Sequence, residues 1–471
     1  MADPEDIEIA DHDSFGDLPL RNEDGRLNGD WIDALYAALA DAAVDETIHL
    51  ASPLHASDTG DVLEALTPDA RRQFVSLLGS AFDYNALTEV DDSVRAELTD
   101  FLPNDEIARA VSELDSDDAV LILEDMDEPD REAILAQMPA FDRLALKRSL
   151  DYPEDSAGRR MQTEFIAIPP FWTVGQTIDY LRKEDTLPAE FYQLYVVDPG
   201  YNLLGTISLD IFLRAQRAAR IEELMNTQIN EVEAHEDQEE AARIFERYDL
   251  VEVAVVDDTS RLVGILTIDD MVDVIHEEAD EDIRALAGIG DEEISDNVWE
   301  TVRSRVTWLI VNLFTAILAS IVIGVYDMTI ESLVALAVLM PIVASMGGNA
   351  GTQTMTITVR ALSTRNIDQY NIRRLILREL LVGVANGVIF AVIMGVVAAI
   401  WFQSIGLGIV IGIAIIINMI SAGLAGILIP LGVHKLGIDP AVASSAFVTT
   451  ITDVVGFFAF LSLARLWFSL P

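Results

Sequence analysis

Two stretches near the C-terminus decide how this chain is read. They are Pro341-Ile342-Val343-Ala344-Ser345-Met346-Gly347-Gly348-Asn349-Ala350-Gly351-Thr352-Gln353 and Thr452-Asp453-Val454-Val455-Gly456. Each sits inside a segment apolar enough to cross a bilayer. The first mixes small residues, side-chain amides and a proline where a lipid-facing helix favours leucine. The second sets a lone carboxylate deep in an apolar run. Polar groups at that depth are costly, so they face a partner helix or a water-filled path.

Working outward, five spans are expected at about 306–326, 332–358, 377–402, 405–433 and 440–468, each long enough for the ~20 residues a crossing needs. Arg303 and Arg305 flank the first span. Arg360, Arg365, Arg373, Arg374 and Arg378 crowd the connection between spans two and three, and Lys435 lies between spans four and five. The connections around Asp327 to Glu331 and around Gln403 carry no basic residue. This asymmetry implies a multi-pass protein of the cell membrane with a cytoplasmic N-terminus and an external C-terminus. Trp308, Trp401 and Trp467 fit interfacial anchors. The two polar stretches then read as the pore of an ion channel or transporter, with the upstream chain as its control apparatus.

Upstream the character changes. Residues 1–302 hold 21 Lys and Arg against 73 Asp and Glu, whereas the remainder holds 9 against 6. Lysine occurs only as Lys147, Lys183 and Lys435. Such acidity resembles proteins of salt-in halophiles, since molar salt shortens the Debye length to ~3 Å and screens self-repulsion. It argues against nucleic-acid binding, which needs basic patches. With no cysteine in the chain, disulfides and thiolate metal sites are excluded. The N-terminus has no basic or apolar signal region, so it is expected to stay in the cytoplasm.

Residues 1–28 are expected as an acidic mobile tail. Residues 29–155 read as an all-α bundle or superhelix of short hairpins, with Asp and Pro at the stops 102–105 and 127–130 suiting N-caps and first turns. Residues 156–276 hold a repeat. Val196-Val197-Asp198 precedes Leu204-Gly205-Thr206-Ile207, and Val255-Val256-Asp257 precedes Val263-Gly264-Ile265-Leu266. Each copy has two strands and an acid-started helix, and Met161 and Met225 open the copies. The pattern resembles a pair of α/β cystathionine-β-synthase (CBS) motifs, a small-ligand-sensing module. A nucleotide ligand is left open there, with no residue arguing for one. Residues 277–302 read as an acidic connecting helix with Glu277, Glu278, Glu281 and Asp282 largely on one face, broken at Gly288 and Gly290. That face is either a solvated linker or a cation-binding lever.

Asp453 is the only acidic residue well inside an expected span, Glu379 and Asp439 lying near span ends. One carboxylate cannot hold a divalent cation, but a symmetric homodimer brings two to one axis. Mg²⁺ suits that arrangement because it keeps its waters and binds through one or two carboxylates. The alternative is an aspartate that ties helices together. Asn349 and Gln353 share a helix face and offer amide oxygens, and Gly348 offers an exposed carbonyl. Gly347, Gly348 and Gly351 fit close helix packing as well. Asn418 reads either as a pore residue or as a helix–helix hydrogen bond.

The Pro341–Gln353 and Thr452–Gly456 stretches, with Tyr152-Pro153-Glu154-Asp155-Ser156-Ala157-Gly158, resemble the MgtE family of magnesium channels. The domain order agrees over about residues 29–471. The resemblance implies a homodimer in the lipid bilayer that passes Mg²⁺ inward, with Asp453 at the pore aspartate. It also implies Mg²⁺ as the regulatory ion, closing the pore from acidic cytosolic surfaces. Glu239, Asp249, Asp270, Asp273, Glu278, Glu281 and Asp282 fall on the family's sensor positions by local motif. Rival readings are a carrier of Co²⁺ or Ca²⁺ and a non-conducting membrane-anchored sensor. An anion transporter is disfavoured because no basic residue lies deep in a span. No nucleophile–base arrangement points to an enzyme.

Overall fold

The computed structural model describes residues 14–15, 18–184, 187–188, 190–289, 298–363, 372–436 and 440–471. Gly290, Arg365 and Asp439 fall outside them. The chain divides into two units, residues 1–276 and 277–471.

The first unit opens with a minimal hairpin, β1 (Ser14–Phe15) with β2 (Leu18–Pro19). Helices follow: α1 (Gly29–Ala40), α2 (Val44–Ala51), α3 (Ala56–Ala65), α4 (Pro68–Leu78), α5 (Asp92–Phe101), α6 (Asn104–Val111), α7 (Ser116–Glu124), α8 (Glu128–Leu135) and α9 (Ala140–Leu150). None is long enough to be stable alone in water; one continuous core containing Leu35, Phe74, Leu98, Ile107 and Ile122 holds them. Pro68 and Pro129 sit in the first turns of α4 and α8, where the missing N–H removes no helical bond. Buried Arg71 donates to the carbonyls of Leu63, at 2.8 Å, and Leu66, and its charge meets Glu97.

One expectation is corrected here. Residues 18–28 are not part of a mobile tail. Leu20 is buried in the helical core, Arg21 forks onto Asp58 and Asp61, and Asn28 caps α1 by accepting from the Asp30 N–H.

The repeat folds as two three-stranded sheets. The first is β3 (Ala167–Ile168), β4 (Gln193–Val197) and β5 (Leu203–Ser208), accompanied by α10 (Val174–Leu181), α11 (Leu209–Arg214) and α12 (Ile221–Leu224). The second is β6 (Glu231–Glu233), β7 (Glu252–Val256) and β8 (Leu262–Thr267), with α13 (Gln238–Tyr248) between β6 and β7 and α14 (Ile268–Ala287) after β8. In both sheets the outer strand is parallel and the hairpin antiparallel, and both hairpins shift register at the same place, Val196/Val197 and Val255/Val256. The copies are exchanged at their starts. Met161 packs in the core of the second copy, and Gln162 bridges to Ile265. Met225 packs with the first copy, and Asn226 bridges to Thr206. Gly264 and Gly205 allow this, since a Cβ would lie 2.6 Å from Met161 Sδ and 3.1 Å from Met225 Cβ.

The second unit holds the expected spans as α15 (Val298–Gly324), α17 (Ala335–Ser363), α18 (Ile372–Trp401), α19 (Ile405–Lys435) and α20 (Pro440–Phe468), with a short α16 (Asp327–Ser332) before α17. All five long helices have the length and hydropathy to cross a bilayer. Helix α19 is the hub, packing on α17, α18 and α20. Small residues set its seam with α18, where Gly408 lies on the Gly395 backbone and Gly383 on the Met419 carbonyl.

Candidate functional site

The first candidate site is the face of α17. Ser345, Asn349, Thr352, Gln353 and Thr356 are all exposed on the membrane unit. At 100° per residue they fall within about 100° of one another, as one polar stripe. The buried residues Val343, Gly347, Gly351, Thr354, Met355 and Thr358 face the bundle instead. The glycines thus divide. Gly347 and Gly351 pack against neighbouring helices, whereas nothing lies within 4 Å of a Cβ placed on Gly348. The helix runs unbroken through Pro341.

Asp453 lies on α20, half-buried, one turn beyond exposed Thr449 and two beyond Ser445. Helices α17 and α20 touch where a Cβ on Gly351 would lie 2.6 Å from Val448 Cγ1 and 3.4 Å from Thr452 Cγ2. Asp453 follows Thr452 directly, and Thr352 and Gln353 follow Gly351. The carboxylate and the amide stripe therefore lie at one depth. Of the two readings of Asn418, the helix–helix bond is the one formed: its Nδ2 donates to the Val343 carbonyl at 2.8 Å and the residue is buried. Glu379 is also buried, accepting from Thr354 Oγ1 at 3.3 Å.

The second candidate site is an acidic seam inside the first unit. Helix α7 starts Asp115-Ser116-Asp117-Asp118, and α14 starts after Thr267 with Ile268-Asp269-Asp270. The N-terminus of α7 is docked on the repeat by Ser116 Oγ, which donates to Glu164 at 2.7 Å and accepts from the Thr163 N–H. Gln162 Nε2 donates to Asp117 at 3.1 Å. The charges of Asp117 and Asp270 act on each other, and Thr267 donates to Asp270. Burial, then the neighbouring charges, lift these carboxyls. Asp117 is raised well above the ordinary range, Asp118 to about 7 and Asp270 to about 6. Asp115 and Asp273 are raised too, again first by burial. One Asp117 oxygen is buried with no hydrogen-bond partner among the described residues. No three His, Asp or Glu side chains among the described residues already surround one point. The seam is a crowd of carboxylates held at the start of two helices, an arrangement that a cation or protons neutralise.

Asp270 and Asp273 of the expected sensor set join this seam; Asp117 and Asp118 were missed. Glu239 and Asp249 stand at opposite ends of α13, ~15 Å apart along its axis, so one chain does not bring them together. Glu239 pairs with Arg243, and Asp249 is the left-handed C-cap, φ 51°. Glu278, Glu281 and Asp282 lie further along α14.

With the geometry in hand, the relatives are informative. Residues 340–463 match the MgtE divalent cation transporter family, residues 54–155 the MgtE intracellular N domain, and residues 221–277 the CBS domain. The magnesium transporter MgtE of Bacillus subtilis is 30% identical over 427 residues, covering 90% of this chain and 95% of that protein. The magnesium transporter MgtE of Enterococcus faecalis is 35% identical over 322 residues, covering 68% and 71%. Among solved structures, the ATP complex of the cytosolic domain of the Mg²⁺ channel MgtE is 28% identical, with a TM-score of 0.48 over 52% of this chain and 99% of that one. The chain belongs to the MgtE family of divalent cation transporters.

Proposed function

We propose that two copies of this chain form a channel that admits Mg²⁺ inward between them and closes when cytosolic Mg²⁺ rises. The observation that carries the ion path is the exposed stripe Ser345–Asn349–Thr352–Gln353–Thr356 on a membrane-crossing helix. Thr356 satisfies its hydroxyl on the Thr352 carbonyl at 3.0 Å, but in lipid the amides of Asn349 and Gln353 would meet no polar surroundings. A second copy laid against the stripe supplies the other wall and a second Asp453. Two carboxylates match the charge of one Mg²⁺ that keeps several waters, with Asn349, Gln353 and the Gly348 carbonyl lining the approach. The relatives named magnesium transporters support the choice of ion. The arginines around α18 support a cytoplasmic N-terminus.

Closure follows from the acidic seam. Without a cation, Asp117, Asp118 and Asp270 ionise against each other and push α7 from α14. Mg²⁺ favours the docked form by binding it more tightly than the open one. Glu239 and Asp249 would share an ion through a second copy, and Glu278, Glu281 and Asp282 extend the acidic surface along α14.

The test is Mg²⁺ uptake into proteoliposomes in high KCl, with Co²⁺ and Ca²⁺ as competitors. Wild-type uptake that disappears in Asp453→Ala, and that sensor-side millimolar Mg²⁺ shuts off, supports path and gate. Uptake unchanged in Asp453→Ala moves the path elsewhere, preferential uptake of Co²⁺ or Ca²⁺ changes the ion, and absent wild-type uptake leaves a membrane-anchored sensor.

A further inference from the structure

We infer that Asn418 is a positioning residue, an amide wedge that sets the spacing of the two helices carrying the proposed ion path. The inference rests on that reading of the path. Asn418 is 1% exposed and is the one polar side chain among the buried residues of α19. Its amide lies between two glycines, one from each stretch that first drew attention. A Cβ on Gly347 of α17 would come within 2.1 Å of Asn418 Nδ2, and one on Gly456 of α20 within 2.7 Å. Contacts that short admit no side-chain carbon, so both glycines are needed to let the amide in. The Nδ2 bond to the Val343 carbonyl fixes its orientation.

On α17 the wedge stands behind the stripe, and on α20 it borders the face that carries Asp453. On α17, Gly347 and Asn349 are two residues apart, about 200° around the helix. On α20, Asp453 precedes Gly456 by three residues, about 60° around the axis. The thickness of the amide therefore sets how far the stripe and the carboxylate stand from the hub helix. Stability alone is a poor reason for an amide here. Its Oδ1 has no hydrogen-bond partner among the described residues, and a buried acceptor left unmatched is destabilising. A leucine of similar size would fill the space without that penalty.

The experiment compares Gly347→Ala, Asn418→Ala, the double variant and Asn418→Leu in the full chain. Each is read by Tm in detergent and by initial Mg²⁺ and Co²⁺ uptake. Gly347→Ala is expected to lower both Tm and uptake, the latter by ~10-fold, a modest displacement of reacting or binding groups being enough for that. Adding Asn418→Ala should restore Tm and most of the lost uptake, because the clash is gone. Asn418→Leu is expected to keep or raise Tm while changing the KM or the Mg²⁺-to-Co²⁺ ratio several-fold. A double variant whose Tm is no better than Gly347→Ala alone overturns the wedge. An Asn418→Leu protein that transports as wild type does, with the same ion preference, overturns the positioning role. A wild-type protein that passes no ion refutes the ion path instead, a result kept separate because Tm suppression is read without flux.

Discussion

Replacing Asp118 by asparagine tests the acidic seam directly. Asp118 titrates at about 7, raised first by burial and then by Asp270 and Asp115. A carboxyl raised in this way stabilises the docked arrangement fully below its unfolded value of 3.8, and that stability is lost as pH rises through about 7. For one group with those two values, docking weakens on the order of 100-fold between about pH 5 and about pH 8. Asp270, at about 6, shares the same repulsion, so its part lies within this figure and does not add to it. The assay is amide hydrogen exchange across α7 and the first turns of α14 in the full chain, each rate divided by its intrinsic value. Without divalent ions the wild-type protein should lose ~100-fold of protection over that range, and millimolar Mg²⁺ should restore it at the upper end. Asp118→Asn should stay protected at both ends and respond less to Mg²⁺. Wild-type protection that is flat with pH, or an Asp118→Asn protein that follows wild type, refutes the reasoning.

Two further outcomes follow from packing. Gly351→Ala places a carbon 2.6 Å from Val448 Cγ1, forcing α17 away from α20. Mg²⁺ uptake should fall by ~10-fold or more, and Gly351→Ala with Val448→Ala should recover part of it. Tyr195→Phe removes the O–H that Tyr195 donates to buried Glu252 at 2.5 Å. Glu252 Oε2 still accepts from the Tyr192 N–H at 3.2 Å, but Oε1 loses its donor, which should cost the repeat ~1–3 kcal/mol, seen as a lower denaturation midpoint that Glu252→Gln does not worsen further.

Much of this was legible from the chain because the signals were long or repeated. Five apolar runs announce α15 and α17–α20 by length alone. The copies 196–207 and 255–266 agree in register down to the bulge at their second valines. What escaped depends on which face meets what. Gly347 and Gly348 are indistinguishable as neighbours in sequence, yet one packs against Asn418 and the other faces open space. The exchange of Met161 and Met225 is a tertiary event that leaves no periodicity. Leu20 is one buried leucine in an acidic segment, too little for a pattern. Asp117 and Asp118 were hidden by composition, two acids among 79. A faint signal existed: α7 and α14 both begin with a hydroxyl residue and paired aspartates, Ser116-Asp117-Asp118 and Thr267-Ile268-Asp269-Asp270.

The acidity of the chain poses a problem that the seam resolves. At molar salt the Debye length is ~3 Å, so exposed carboxylates repel each other only weakly. A gate driven by exposed faces would then lose its force in the medium this composition suits. Asp117, Asp118 and Asp270 differ because burial is the first cause of each shift, and mobile ions do not screen the loss of water around a buried charge. The Mg²⁺-dependent protection of α7 should therefore change by less than ~3-fold when KCl is raised from a few tenths molar to several molar. A response that collapses over that range would place the switch on exposed carboxylates such as Asp269, and would leave the half-buried seam as a structural contact with no part in closing the path.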